Sequence, residues 1–210
     1  MLRSLFSRII FFLLIITVVS FGLDKEDSNK KYEKTLEQLK SGKIDINFKE
    51  FRLSCADSKY SCEADSDDVK KIRTILENKK FEEGLKIVNK SLEKTFVDID
   101  LHYFAFIANM ELKNTDKADF HKSVLRGLLD SIQENKHGKS EDDAFVVINV
   151  HEEYVFLRFS NMRPKSQSLS SKDGHSFDVM KCEDMRDHSE LTVYFDVDIS
   201  MNKLNNLFKK

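Results

Sequence analysis

The chain is poor in the residues that break or staple structure. It has one proline, six glycines, three cysteines and no tryptophan among 210 residues. Three cysteines are too few for a disulfide scaffold, and only Cys55 and Cys62 lie close enough to pair across a small loop in an oxidising compartment. A zinc site at that pair lacks neighbouring histidines and the four tightly spaced ligands such sites need. Cys182 is then left over and reads as a small buried hydrophobe. The charge has no basic excess: 34 Lys and Arg stand against 36 Asp and Glu, a formal net charge of −2. That balance gives no footprint for nucleic acid or an anionic membrane. The six glycines form no phosphate-cradling loop, and no Gly-x-Ser-x-Gly elbow or local Cys-His pairing points to a nucleophile.

One long apolar run is present, Ile9–Val19, interrupted only by Thr17. Arg3 and Arg8 precede it and Ser20-Phe21-Gly22 follows. A charged start, a short apolar centre and a small-x-small exit predict a signal peptide over residues 1–22, cleaved after Gly22. The run is shorter than the roughly 18 residues of a spanning helix, so an N-terminal membrane anchor is the alternative. Cleavage removes both arginines and takes the net charge from −2 to −4. The exported chain is expected in the periplasm or outside the cell, with no membrane span.

Residues 23–30 are polar and acidic and read as a linker. Tyr32, Leu36 and Leu39 predict a short helix ending near Gly42, and partial alternation at Ile44, Ile46 and Phe48 suggests an extended segment. Four helices follow. Ser66 or Asp67 can cap the first, with Val69, Ile72, Ile75 and Leu76 inward. Phe81, Leu85, Val88 and Leu92 stripe the second. Ile99–Leu112 is apolar nearly all round, and His121, Val124, Leu125, Leu128 and Ile132 mark the fourth. Short gaps make these antiparallel neighbours, two hairpins within a helical region of residues 31–138.

The period then changes. Residues 139–210 read as an antiparallel sheet region packed on the helices. Ala144–Ile148 is strand-like, Asn149 with Glu152 resembles a helix cap, and Asp173-Gly174 is a strong hairpin turn. Leu191, Val193, Phe195, Val197 and Ile199 share one strand face, while Thr192, Tyr194, Asp196 and Asp198 share the other. Ser200 caps a last short helix. The fold class is therefore α+β.

Phe81–Glu93 resembles the second helix of a tetratricopeptide repeat, with Gly84 and Ser91 at its small packing positions. Phe96 replaces the repeat's usual proline, and two units are visible where about three are needed, so the sheet has to complete the core. Gly127–Ile132, Gly138-Lys139-Ser140, Ala144–Ile148, Glu152–Tyr154, Gln167–Leu169 and Leu191–Phe195 follow the order of a second family. The chain resembles domain-of-unknown-function family 4919, small exported proteins found mainly in Bacteroidetes. Lys136-His137-Gly138 stands where that family has Gly-Asp-Gly, so the loop carries no functional weight. The resemblance implies fold and export and leaves function open.

His102 and His121, on adjacent helices, are the candidate metal ligands, with Asp98 and Asp100 nearby. Each histidine also reads as a satisfied polar residue at a helix interface. His151, Glu152 and Glu153 are a second polar group, at a helix start where acids suit the dipole. Asp196 with Asp198, and Asp178 beside Met180, could supply paired carboxylates near His175, although a solvated sheet face accounts for them as well. Asp65, Asp67 and Asp68 lack the glycine and terminal Glu of a calcium loop. The expectation is a non-enzymatic binding or adaptor module without cofactor, its partner a protein or peptide. The alternative is a metal-dependent or acid–base enzyme using His102, His121 and nearby carboxylates.

Overall fold

The computed structural model describes residues 25–208, so the signal peptide expected over 1–22 lies outside the described residues. Helix α1 runs through residues 25–40. Residues 25–30, expected as linker, are its first turns: Glu26 with Lys30 and Asp27 with Lys31 form i,i+4 ion pairs along it. Tyr32 and Leu39 carry its buried face.

Of the segment 44–54 expected to be extended, the part from Phe48 onward is instead helical, forming α2, Phe48–Ala56. Asn47 caps it by accepting from the Glu50 amide at 2.9 Å. Phe48, Phe51, Arg52 and Cys55 recur at helical spacing, a pattern that the brief alternation before them masks. Phe51 stacks on Tyr32, ring centroids 5.0 Å apart. The Cys55 and Cys62 sulfurs are joined as a disulfide, closing the loop that follows α2.

Next come α3 (Ser66–Glu77), α4 (Phe81–Leu92), α5 (Ile99–Glu111) and α6 (Thr115–Gln133), packed as adjacent pairs. Asp65, one residue before the expected caps, accepts from the Asp67 and Asp68 amides and starts α3. α5 is the central helix. Eight of its residues are buried, because helices lie on several of its sides. Gly84 of α4 lies against Leu76 of α3, and the Phe48 ring of α2 lies against Gly127 of α6. Neither glycine contact leaves room for a bulky side chain.

The sheet has four strands in the order β1-β4-β3-β2: β1 (Phe145–Val146), β2 (Met162–Lys172), β3 (His175–Asp184) and β4 (Glu190–Asp196). It is mostly antiparallel but not wholly so, because β1 pairs with β4 in parallel, Phe145 opposite Phe195. Helix α7 (Val150–Phe159) leaves β1 under an Asn149 cap, whose side chain accepts from the Glu152 amide at 2.9 Å. β2 and β3 form the hairpin, with Asp173 and Gly174 both at positive φ, 52° and 87°. Two left-handed residues match the twist of the flanking strands, which is what Asp-Gly supplies. The single proline, Pro164, sits on edge strand β2 beside a bulge, where a missing N–H costs least.

Met180 and Cys182 on β3 and Val193 and Phe195 on β4 turn toward the helices. Phe145, Phe156 and Phe195 pack ring to ring there, joining β1, α7 and β4. Helix α8 (Asp198–Phe208) begins two residues before the expected Ser200 cap, with Asp196 accepting from the Asp198 amide. The molecule is α+β: eight helices and a mixed four-stranded sheet among the described residues.

Candidate functional site

Three elements converge on a cleft of about 590 Å3, within the range of small-ligand sites. α5 supplies Asp100, Tyr103, Phe104 and Ile107, spaced +3, +4 and +7 from the first and so on one helical face. α3 supplies Arg73, Leu76 and Glu77. The end of α7 supplies Arg158 and Phe159, with Asn161 just beyond. Tyr103 meets Phe159 edge to face at 5.3 Å between centroids, so the aromatic wall joins two helices.

Asp100 organises the charges. Its side chain is 1% exposed, and Oδ1 accepts from Nη2 of Arg158. Oδ2 lies 3.3 Å from Nε2 of His151 without hydrogen-bond alignment. Burial alone would raise the Asp100 carboxyl, but His151 and Arg158 together hold it below the ordinary carboxylate value. The same contact with Asp100 raises His151, against the opposing effect of burial. Arg158 rests over the Phe159 ring, 5.4 Å from its centroid, while 46% of its side chain stays exposed.

His102 and His121 do meet, Nδ1 to Nδ1 at 3.0 Å. The Phe96 carbonyl can only accept, so His102 donates to it through Nε2 at 2.7 Å. The Nδ1 of a neutral His102 then accepts from His121. Both nitrogens of His102 are thereby engaged within the protein. Burial, reinforced by the neighbouring His121, lowers His102 to about 3. Burial and the Lys117 charge lower His121 to about 4. The aspartates are not brought to this pair. Asp98 caps α5, accepting from the Leu101 and Ala64 amides, and Asp100 turns to Arg158 and His151. Among the described residues, no three His, Cys, Asp or Glu side chains are grouped to hold a metal ion.

The remaining candidates scatter into separate structural duties. Asp198 accepts from His175 and from the Ser176 amide, securing the hairpin end. Asp178 is buried on the inner sheet face, not on a solvated one. Beside it lies Glu153, fully buried, with no donor aimed at either oxygen. Burial first, then the Asp178 carboxyl, push Glu153 up to about 9, so it keeps its proton at neutral pH. Glu152 pairs with Arg52 at 2.5 Å. Burial raises the Cys182 thiol to about 11, leaving it unreactive.

Arg52 and Arg158 were not among the residues singled out from the sequence. Arg52 had a legible signal, a charged residue at i+4 on the apolar stripe Phe48, Phe51, Cys55. Asp100, only two positions from His102 in sequence, meets His151 instead, because the fold brings His151 in from α7.

A sequence comparison bears on this architecture. Residues 23–206 match the family described as Domain of unknown function (DUF4919). The chain belongs to that family. No curated protein and no solved structure matches it. DUF4919 membership thus spans both the helices that frame the cleft and the sheet, and assigns the cleft no role. Among the described residues no helix is long and apolar enough to cross a membrane, and the Cys55–Cys62 disulfide fits an oxidising, extracytoplasmic place.

Proposed function

We propose that this DUF4919 protein is an exported, non-enzymatic binding module whose cleft takes a short segment of a protein or peptide partner. The observation that carries the reading is the cleft between α3, α5 and α7, with aromatic walls and an exposed, oriented Arg158. Apolar walls with a few placed polar groups are the usual make-up of a binding site. Tetratricopeptide-like helix pairs commonly present such surfaces to peptides, and the exposed guanidinium of Arg158 suits an acidic group on that segment.

Panning a displayed library of random peptides tests the cleft. Enrichment is expected on the parent protein and not on an Ile107→Arg variant of equal melting temperature. No enrichment, or enrichment indifferent to Ile107→Arg, overturns the reading. Metal analysis of protein purified without an affinity tag addresses the enzyme alternative, which stoichiometric zinc or iron would restore. Export is tested by N-terminal sequencing. The mature chain is expected to start at Leu23, and an intact Met1 in the membrane fraction would mean an anchor.

A further inference from the structure

We infer that the cleft recognises a free C-terminal carboxylate on a bulky apolar residue, with Arg158 as the anchor. This rests on the binding-module reading and narrows it to one chemistry. Arg158 is the polar group in the cleft that is both held and available. Its Nη2 is fixed by Asp100, whose own carboxylate is 1% exposed beneath it, and its guanidinium plane rests on Phe159. Among the described residues the guanidinium makes no hydrogen bond other than the one to Asp100, so most of its five N–H donors remain free. A fixed fork of donors suits a carboxylate, which can accept two of them side by side.

The formal charges of the lining balance, Arg73 and Arg158 against Asp100 and Glu77, so the preference for a carboxylate comes from the free, exposed donors of Arg158 and not from a net positive field. Arg73 and Glu77 stand one turn apart on α3 at the rim and offset each other. Within reach lie the apolar walls of Leu76, Tyr103, Phe104 and Phe159. At a chain end the carboxylate and the last side chain branch from one Cα, so a single residue meets the arginine and the wall together. An internal Asp or Glu must draw its apolar group from a neighbour and needs a longer footprint.

Fluorescence anisotropy on the whole protein decides the matter. The probes are fluorescein-labelled Gly-Ser-Gly-Ser peptides extended by Leu, Phe or Tyr, each as free acid and as C-terminal amide. A third arm ends in Asp-Phe-amide and carries only an internal carboxylate. The free acids are expected to bind at least tenfold more tightly than either amide, with affinity falling as salt is raised. Arg158→Lys keeps a cation for Asp100 but loses the fork, and should weaken the acids about fivefold or more. Arg126→Met, on the exposed face of α6 away from the cleft, is expected to change them less than threefold. Equal binding of acid and amide overturns the carboxylate anchor while leaving the binding module standing, because library panning reads that independently. An acid preference untouched by Arg158→Lys overturns the assignment to this cleft. Binding by no probe overturns the inference, and failure of both experiments removes the module reading as well.

Discussion

A carboxyl with no exposure, no donor aimed at it and Asp178 beside it holds its proton well above the ordinary range, and Glu153 does so up to about 9. Its folded value lies above the unfolded 4.5, so its contribution is fully present below that pH. The contribution is then lost as pH rises toward 9. Glu153→Gln keeps a donor without the titration. Denaturant melts are expected to show the variant about 2 kcal/mol more stable than the parent at pH 8 and little different at pH 4.5. Equal differences at both values would mean that the side chain is ionised in the fold. His102 and His121 act in the opposite sense. Their folded values are depressed from 6.5 to about 3 and about 4. Their contribution is therefore present above 6.5 and lost as pH falls below it. His121→Gln should leave a shallower decline between pH 7 and pH 5, by about 1–2 kcal/mol, in the same melts.

Helix pairing turns on a few close approaches. A methyl on Gly84 would come within 2.5 Å of Leu76 Cδ2 and 3.1 Å of its Cγ, so alanine does not simply drop into free space. Leu76 also lines the cleft and can turn its tip into it. Glycine inside a helix costs about 1 kcal/mol relative to alanine, which offsets the displacement. Gly84→Ala is expected within about 1 kcal/mol of the parent, and Gly84→Leu to lose about 1–3 kcal/mol by overpacking. If leucine proves as stable as alanine, α4 does not meet α3 at this point.

One buried arginine ties the two halves of the chain together. Arg52 of α2 is fully buried and donates to the Ser131 hydroxyl and carbonyl on α6, to the Val146 carbonyl on β1 and to Glu152 on α7. Glu152 in turn accepts from the Ile148 amide. Removing the cation leaves a buried carboxylate facing two carbonyls, which typically costs about 3–5 kcal/mol. Arg52→Met should lose that much in urea melts, and Arg52→Met with Glu152→Gln should recover part of it. A double variant no better than the single would show that lost packing and backbone contacts outweigh the stranded charge. Because the network spans α2, α6, β1 and α7, the helical region and the sheet are expected to unfold in one transition.

Periodicity was enough to read α3 to α6, the hairpin at Asp173-Gly174, the Asn149 cap and the α+β class, because each depends on residues within a turn or two of one another. Gly84 and the central place of α5 were legible for the same reason: a small residue in a stripe and a helix apolar all round report their neighbours. The start of α1, helix α2 and the direction of β1 were not, since short segments carry too few repeats to outvote a local impression of polarity or alternation. The cleft was beyond local reading altogether. His102 and His121 are 19 positions apart and satisfy each other, whereas Asp100 finds its partners 51 and 58 positions later, at His151 and Arg158. Hydrophobic pattern and capping are set by near neighbours along the chain. Which buried charge meets which is set by how the helices pack on the sheet, and that only the tertiary structure decides.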